Sequence, residues 1–227
     1  MKFTGIRAVT FDVGGTLITP WPSVGDIYAE VAKQHGYANV SPEALNKQFR
    51  LAWKRKEGFT HRREQWQALV NETFAGSLTT PPSDEFFADL YDYFGRAGAW
   101  RVFDDVLPAL KELRGHGFKL AVLSNWDERL RPLLSELGLI GFFDGFAISM
   151  EVGQPKPGKA IFEFAASQLG VPVNAILHVG DTMEEDMNGA RVAGFSALLI
   201  DRKAGAAGGN GVIRSLLQVL PVLEKRL

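Results

Sequence analysis

Five short apolar segments, separated by longer stretches with helical periodicity, constrain the fold of this chain more than any other feature. The first covers residues 6–11 and runs directly into the glycine-bearing turn of residues 12–16. The other four cover residues 119–124, 145–149, 175–180 and 196–200. Helical patterns lie between and after them, over residues 104–113, from Pro157 onward, over 183–193 and over 213–223. Strands that alternate with helices predict an α/β fold, in which a doubly wound parallel sheet carries helices on both faces.

Residues 19–98 break this alternation, because they carry helix starts but no strand pattern. Ser41 followed by Pro42 is typical of a helix N-terminus, with a capping serine and a proline at the first helical position. A second helix is indicated by the apolar stripe over residues 66–74, and a third by the N-cap residue Ser83. We therefore predict an inserted all-helical domain over residues 19–98. The α/β core domain is predicted to consist of residues 1–18 and 99–227.

Composition excludes several classes of protein. The 227 residues carry a formal net charge of −1, so we expect neither a nucleic-acid partner nor an anionic membrane partner. Cysteine is absent, which excludes disulfides, thiolate metal sites and cysteine nucleophiles. No signal-peptide pattern is present and no segment reaches the ~20 apolar residues of a membrane helix, so we expect a soluble, cytoplasmic protein. A monomer and a homodimer both remain open, and the glycine-rich segment 205–211 is predicted to be a flexible loop.

Polar residues follow four of the predicted strands at the points where those strands end. They are Asp12 and Thr16, Ser124 and Asn125, Lys156, and Asp181 with Asp186 further on. In a doubly wound sheet, ligands bind at the carboxyl ends of the strands. Carboxylates bind a hard cation such as Mg²⁺, whereas lysine and backbone amides bind phosphoryl oxygens. The pattern therefore predicts an anion site that also holds a metal ion.

Taken together and in this order, the motifs resemble those of the haloacid dehalogenase (HAD) superfamily of hydrolases. The resemblance rests on Asp12-Val13-Gly14-Gly15-Thr16-Leu17, Ser124-Asn125, Gly153-Gln154-Pro155-Lys156-Pro157, and Gly180-Asp181 with Asp186. It covers most of a Rossmann-like core, and the helical insertion is similar to the C1-type cap of that family. The resemblance implies hinges near residues 18–20 and 97–101, with a cap that closes over the strand ends to exclude water and select the substrate.

The resemblance also implies a role for each residue in a Mg²⁺-dependent phosphatase. Asp12 would attack phosphorus to form an aspartyl-phosphate, and Lys156 would pair with Asp12 and balance the negative charge. The resemblance also implies that Thr16 and Ser124 are catalytic residues, and that Ser124, Asn125 and Gly15 bind the substrate. The implied ligands of Mg²⁺ are Asp12, the Gly14 carbonyl and Asp181. Asp186 would support Lys156 or metal-bound water. The implied substrate is a small-molecule phosphate ester or an acyl phosphate.

Gly14 departs from the pattern of the family's phosphatases, which carry a second aspartate at this position. That aspartate protonates the leaving oxygen and later activates water, and such general acid–base catalysis contributes roughly 10²–10⁴ in rate. We therefore expect phosphate binding with weak turnover, least affected for good leaving groups such as those of acyl phosphates. Glu57, His61 and Glu64 are candidate replacement acids, by their location in the insertion only.

Two alternatives to a phosphatase remain open. Gly14 alone supports a catalytically silent phosphate-binding or regulatory protein on the same scaffold. A 2-haloacid dehalogenase would also lack the second aspartate, but that branch uses no metal and normally has no aspartate at the position of Asp181. It also uses an arginine soon after the first motif, whereas residues 18–49 contain none.

Two further features have competing interpretations. The basic cluster over residues 54–63 is either a solvated helix face or a surface that recognises a carboxylate or second phosphate on the substrate. His178 lies inside the fourth predicted strand, and we interpret it as a hydrogen-bonded core histidine rather than a ligand.

Overall fold

The computed structural model describes residues 3–37, 39–202 and 211–224. The strands in these ranges are β1 (Ala8–Phe11), β2 (Ile18–Pro20), β3 (Trp100–Val102), β4 (Lys119–Ser124), β5 (Gly145–Ile148), β6 (Ile176–Gly180), β7 (Ser196–Ile200) and β8 (Val212–Ile213). The α-helices are α1 (Val24–Gln34), α2 (Pro42–Arg55), α3 (Arg63–Phe74), α4 (Asp84–Tyr93), α5 (Val106–Gly115), α6 (Leu130–Glu136), α7 (Ser149–Val152), α8 (Lys159–Leu169), α9 (Gly189–Val192) and α10 (Val219–Glu224).

The main sheet has six strands in the order β5-β4-β1-β6-β7-β8. Its strands pair in parallel, and β1 lies in the middle, with Ala8 opposite Lys119 of β4 on one side and Ile176 of β6 on the other. This confirms the predicted α/β fold with a parallel sheet. The parallel arrangement also places the carboxyl ends of β1, β4, β5 and β6 at one edge, where polar residues follow them.

The sheet is buried because helices pack against both of its faces. Ala121 and Leu123 of β4 belong to a hydrophobic cluster with residues of α8 and α9. The alternate residues Leu120 and Val122 are equally buried, and the two-residue period of a strand directs them to the opposite face. Such burial on both faces explains why these strands are continuous apolar runs in the sequence.

The chain divides into two compact units. One contains residues up to Ile18 together with residues from Val102 onward, and the other contains Thr19–Arg101. We call them the sheet unit and the helical unit. The helical unit contains α1–α4 around a core of aromatic and aliphatic side chains, in which the Tyr28 and Phe74 rings are stacked with their centroids 5.9 Å apart.

The predicted helix starts in the helical unit are confirmed at their capping residues. The Ser41 hydroxyl accepts a hydrogen bond from the backbone N–H of Ala44, and the Ser83 hydroxyl accepts one from that of Phe86. Helix α1 was not predicted, although Ser23 caps it in the same way. Its buried residues Ile27, Tyr28, Val31 and Ala32 lie at helical spacing and could have indicated it.

Several predicted boundaries were wrong. The expectation that residues from 19 onward contain no strand fails at β2, which pairs with β3 in a separate two-stranded sheet. Residues 183–193 form a π-helical turn, Met183–Asn188, followed by the short helix α9, rather than one regular helix. The predicted helix over residues 213–223 begins later, because β8 occupies its first position. Most of the predicted loop over residues 205–211 lies outside the described residues.

None of the helices that the structure describes is long and apolar enough to cross a membrane.

Candidate active site

Two buried donors from different segments of the chain converge on one carboxylate oxygen of Asp12. The Ser124 hydroxyl, at the end of β4, donates a hydrogen bond of 2.8 Å to Oδ1 of Asp12, which follows β1. The Lys156 ammonium, in the loop between α7 and α8, donates one of 2.7 Å to the same oxygen. Asp12, Ser124 and Lys156 are 7%, 1% and 3% exposed. The sequence-predicted nucleophile is therefore held rigidly by two donors, as general principles require of a reacting group.

The turn after Asp12 brings the backbone against Asp181. Gly15 adopts a φ of 79°, and a Cβ atom built on it would lie only 2.3 Å from Oδ2 of Asp181. No residue with a side chain fits there without displacing the carboxylate. A glycine is thus required at position 15 both for the left-handed backbone conformation and for the close approach.

Asp186 accepts four hydrogen bonds, which use both of its carboxylate oxygens fully. Oδ1 accepts from the Lys156 ammonium at 2.5 Å and from Nε2 of His178 at 3.0 Å. Oδ2 accepts from the backbone N–H of Thr182 at 2.9 Å and from its hydroxyl at 2.7 Å. Because each oxygen has about two acceptor positions, Asp186 has no acceptor position left for a metal ion. Its position in the structure is that of a support for Lys156.

His178 connects this cluster to the interior of the sheet. It is fully buried, and burial lowers its pKa, so the imidazole is neutral. Since the ionised Asp186 can only accept, Nε2 carries the proton, and Nδ1 accepts from the hydroxyl of Thr10 at 2.9 Å. The interpretation of His178 as a hydrogen-bonded core histidine is confirmed, but sequence reasoning missed that its partner is Asp186. The sequence did contain a signal for this network, since β1 and β6 are apolar strands that each contain a polar residue, Thr10 and His178.

Charge pairing outweighs burial at Lys156 and Asp186. Burial favours the neutral form of Lys156, but the carboxylates of Asp12 and Asp186 raise its pKa above the usual range. Burial would likewise raise the pKa of Asp186, yet the Lys156 charge and the His178 hydrogen bond hold it well below its ordinary value. Both groups are therefore charged at neutral pH.

The carboxyl groups of Asp12 and Asp181, in contrast, have pKa values above the ordinary value. Burial, which Lys156 and the Ser124 hydrogen bond only partly offset, raises the pKa of Asp12 above its ordinary value. Desolvation by the surrounding protein, together with the negative charges of Asp12 and Asp186, raises the pKa of Asp181 to about 7. The two carboxyl groups are thus difficult to ionise together, and a bound cation would favour their ionised forms.

The same carboxylates have the donor chemistry of a Mg²⁺ site. Oxygen atoms of Asp12, Asp181 and Asp186 lie within 4.8 Å of one another. Within the described residues, Oδ2 of Asp12 accepts no hydrogen bond, and Asp181 reaches solvent. Since Asp186 is fully hydrogen-bonded, Asp12 and Asp181 are the members of this group that fit a hard cation, which prefers oxygen ligands.

Comparison with known protein families identifies the family of this chain. Residues 6–194 match the family model of the haloacid dehalogenase-like hydrolases. This chain belongs to that family.

One relative covers most of the chain, and a second covers less than half of it. Haloacid dehalogenase-like hydrolase domain-containing protein 3 of Danio rerio is 34% identical over 211 residues, which covers 88% of this chain and 87% of that protein. The glyceraldehyde 3-phosphate phosphatase of Methanopyrus kandleri is 41% identical over 101 residues, 44% of this chain and 43% of that protein. The protein is thus a hydrolase of the HAD type.

Solved structures of the family share the fold. A HAD phosphatase from Thermococcus onnurineus is 25% identical with a TM-score of 0.69, over 96% of this chain and 98% of that one. The magnesium-bound structure of YfnB, a HAD hydrolase from Bacillus subtilis, superposes with a TM-score of 0.80 at 16% identity, over 96% of this chain and 99% of that one. At that identity the second comparison establishes the fold alone.

In this HAD hydrolase, Asn125 holds the loop that carries Lys156. Its side-chain carbonyl accepts from the backbone N–H of Lys156 at 2.7 Å, and its amide donates to the backbone carbonyl of Lys156 and to Glu185, each at 3.1 Å. The structure therefore engages the whole Asn125 amide in positioning Lys156. Its sequence-predicted contact with substrate stays a prediction.

The Thr16 side chain has no hydrogen bond to the polar cluster within the described residues. It is fully buried, and within the described residues its hydroxyl makes no hydrogen bond. Its backbone carbonyl accepts from the Arg202 guanidinium at 2.6 Å. A catalytic role for Thr16 stays a prediction.

The candidate replacement acids belong to the helical unit of this HAD hydrolase. His61 is buried among aromatic rings, with its ring centroid 5.0 Å from that of Phe59 and 5.6 Å from that of Trp66. Glu57 and Glu64 are exposed. Burial in this cluster gives His61 a packing role inside the helical unit.

Much of the basic cluster of residues 54–63 is engaged with neighbouring side chains. The Lys56 ammonium lies 4.2 Å from the ring centroid of Trp53, and the Arg63 guanidinium 4.5 Å from that of Tyr91. Arg55 pairs with Glu72 at 3.2 Å. These contacts favour the interpretation as a solvated helix face.

Proposed function

We propose that this HAD hydrolase is a Mg²⁺-dependent phosphatase that acts on a small phosphate ester or acyl phosphate through an aspartyl-phosphate. The observation that carries the proposal is the convergence of the Ser124 hydroxyl and the Lys156 ammonium on Asp12, beside the Asp181 carboxyl. The phosphatase named among its relatives supports the same reaction class.

In the first step, a carboxylate oxygen of Asp12 attacks phosphorus. A new oxygen–phosphorus bond forms, the bond between phosphorus and the leaving oxygen breaks, and that oxygen departs with the electron pair. Lys156 offsets the negative charge that accumulates around the phosphoryl group, and Ser124 keeps the carboxylate oriented. The buried surroundings strengthen both effects.

Mg²⁺, held by the carboxylates of Asp12 and Asp181 and by the backbone carbonyl of Gly14, would supply positive charge opposite the phosphoryl oxygens. Asp186 and His178 would not bind the ion. Asp186 keeps the Lys156 ammonium directed at Asp12 by accepting its hydrogen bond of 2.5 Å. His178 in turn holds Asp186 through a hydrogen bond of 3.0 Å.

In the second step, water attacks the phosphorus of the aspartyl-phosphate. The bond between phosphorus and the Asp12 oxygen breaks, inorganic phosphate leaves and the carboxylate is regenerated, while the proton of the water passes to solvent. Gly14 has no side chain that could accept this proton or donate one to the leaving group. We therefore expect hydrolysis roughly 10²–10⁴ slower for poor leaving groups than an enzyme with a carboxyl group at this position would achieve.

The helical unit supplies the second part of the proposal. We propose that this unit, Thr19–Arg101 where the sequence predicts 19–98, is a C1-type cap inserted between the two segments of the core, and that it selects the substrate. A cytoplasmic location, a monomeric or homodimeric state, and the absence of nucleic-acid and membrane partners stay predictions.

Steady-state hydrolysis of p-nitrophenyl phosphate and acetyl phosphate tests the proposed function. We expect turnover of both that requires Mg²⁺, stops with a chelator and disappears in Asp12→Asn. Turnover that persists in Asp12→Asn would contradict the proposed nucleophile. Absence of turnover in the wild type, combined with release of halide from a 2-haloacid, would contradict the phosphatase.

A further inference from the structure

The Trp126 ring lies against the residue that replaces the missing acid. A Cβ atom built on Gly14 would lie 3.4 Å from Cζ3 of Trp126, which is van der Waals contact. Gly14 and Trp126 are both half-buried, so the ring and the glycine backbone meet at the surface of the site and not in the core. The edge of an indole therefore lies beside the position at which the family's phosphatases have a carboxyl group.

The segment that carries Trp126 is fixed on both sides. Its backbone N–H donates to the Ser149 hydroxyl at 3.0 Å, and its carbonyl accepts from the Ser149 hydroxyl at 3.1 Å and from the backbone N–H of Met150 at 3.2 Å. The preceding residue, Asn125, is held by both backbone groups of Lys156. The indole is therefore presented by a pre-organised loop, which reduces the entropy lost when a ligand packs against it.

We propose that Trp126 is a specificity-determining residue that packs against the leaving group of the substrate and makes the enzyme prefer phosphates with flat, apolar or aromatic leaving groups. The inference rests on the proposed function, in which the leaving oxygen departs next to residue 14. With glycine at that position, the leaving group receives no proton and departs as an anion. Aryl and enol phosphates combine both requirements, since they have a flat apolar body and a stable departing oxyanion.

The physical basis of the preference is contact with an aromatic face. An aromatic ring packed on an indole gains stabilisation beyond the apolar area that it buries. A small acyl phosphate such as acetyl phosphate also has a good leaving group, but it offers no ring to pack against Trp126. The ratio of kcat/KM for p-nitrophenyl phosphate to that for acetyl phosphate therefore isolates the contribution of the ring from that of leaving-group stability.

The experiment measures this ratio in wild type, Trp126→Ala and Trp126→Phe. We expect the ratio to fall by about 2- to 12-fold in Trp126→Ala, as loss of an aromatic pair implies, and to be largely retained in Trp126→Phe. Phe164→Ala, which removes an exposed ring from α8, is the matched control and should leave the ratio unchanged. An unchanged ratio in Trp126→Ala would overturn the inference while leaving the phosphatase proposal intact.

Binding of unreactive analogues separates failure of the inference from failure of the proposed function. Calorimetry with Mg²⁺ present compares phenylphosphonate with methylphosphonate, neither of which can be hydrolysed. We expect tighter binding of phenylphosphonate in the wild type and loss of that preference in Trp126→Ala. Equal binding of the two phosphonates by the wild type overturns the inference. Preferential binding without any Asp12-dependent turnover would overturn the phosphatase and with it the leaving-group preference, and would leave Trp126 only as a contact for an aromatic ligand.

A double substitution tests whether the ring restricts an acidic side chain at position 14. In Gly14→Asp the new Cβ would be in van der Waals contact with the indole, so the ring restricts the directions that the carboxyl group can take. We expect hydrolysis of ethyl phosphate, which has a poor leaving group, to rise at least about 10-fold more in Gly14→Asp with Trp126→Ala than in Gly14→Asp alone. An equal gain in the single and the double variant would contradict this arrangement.

Discussion

Nε2 of His178 lies 3.0 Å from Oδ1 of Asp186, the same oxygen that accepts the hydrogen bond of the Lys156 ammonium. Two donors from different elements therefore fix the carboxylate that directs the lysine at Asp12. Thr10 continues the chain on the other side of the imidazole, so that a central strand of the sheet is linked to the reacting group by hydrogen bonds.

Removing the imidazole should lower catalysis without changing substrate binding. In His178→Phe, Oδ1 of Asp186 loses a buried donor, and the Lys156 ammonium is held less well. We expect kcat to fall about 10-fold with KM within about 2-fold, and the free energy of unfolding to fall by about 1–3 kcal/mol. Thr10→Val, which removes only the more distant hydroxyl, should have a smaller effect of the same kind. The exposed His116 supplies the control His116→Phe, and equal kcat values for the two histidine variants would contradict the positioning role.

Lys156 is the residue whose loss should cost the most stability. Lys156→Met leaves the buried carboxylates of Asp12 and Asp186 without their common partner. Breaking a buried ion pair on one side destabilises by about 3–5 kcal/mol. The control is Lys159→Met, because Lys159 makes an exposed i,i+4 pair with Glu163 at 2.8 Å and its loss should cost less than about 0.5 kcal/mol. Urea denaturation measures the free energy of unfolding of both variants. Similar losses in the two would contradict a larger stabilisation by the buried ion pairs.

Gly15→Ala should damage the site through a steric effect. The new methyl group would overlap Oδ2 of Asp181, so the carboxylate has to move and the Mg²⁺ concentration for half-maximal activity should rise at least about 10-fold, as expected when a single ligand is disturbed. Gly117→Ala is the matched control, since Gly117 has a φ of 81° and no atoms near the added methyl. Both variants should lose about 1–2 kcal/mol from left-handed backbone strain, but only Gly15→Ala should change the Mg²⁺ dependence. Equal Mg²⁺ dependence in the two would contradict the assignment of Asp181.

Asp105 should make the stability of the sheet unit sensitive to acid. Burial alone would raise the pKa of Asp105, but hydrogen bonds from Arg202, the backbone N–H of Leu216 and the Ser215 hydroxyl lower it below its ordinary value of 3.8. A carboxyl group whose folded pKa is lowered stabilises the fold above its unfolded pKa, and this contribution is lost as pH falls through the folded pKa.

Asp105→Asn should therefore be less stable than wild type by about 1–2 kcal/mol at pH 7, with the difference shrinking as the pH falls below about 4. Urea denaturation at a series of pH values measures it. The exposed neighbour provides the control Asp104→Asn, which removes one acidic charge from the same loop and leaves Asp105 in place. A difference that stays constant down to the lowest pH would contradict the ionic origin of the stabilisation.

The sequence predicts the sheet and the strand-end residues because both depend on local patterns. A continuous apolar run bounded by glycine indicates a buried parallel strand, and the residue after such a strand necessarily reaches the carboxyl edge. Asp12 and Ser124 follow from this rule, whereas Lys156 comes after the short helix α7 and was found through the Gly153–Pro157 motif. The short strands β2 and β3 could not be found, because three residues are too few to show a period.

Contacts between elements distant in the chain could not be predicted. The hydrogen bonds that saturate Asp186 depend on the π-helical turn, which returns this side chain towards Thr182 and His178. The closeness of Trp126 to Gly14 depends on how the loops after β4 and β1 meet. The contacts of Asp186 with Lys156 and of Trp126 with Gly14 are tertiary relationships, and the local contact of Asp186 with Thr182 depends on an irregular turn that no helical or strand period indicates.

The most direct test of the central claim is detection of a phosphoryl group on Asp12. The protein is mixed with acetyl phosphate and Mg²⁺, quenched in acid within the first turnover, digested and analysed by mass spectrometry. Because Gly14 leaves the second step without a general base, we expect the phosphoryl adduct to accumulate on the peptide that contains Asp12 and to be absent in Asp12→Asn. Turnover of acetyl phosphate with no adduct on that peptide, or with the adduct on another residue, would contradict the account.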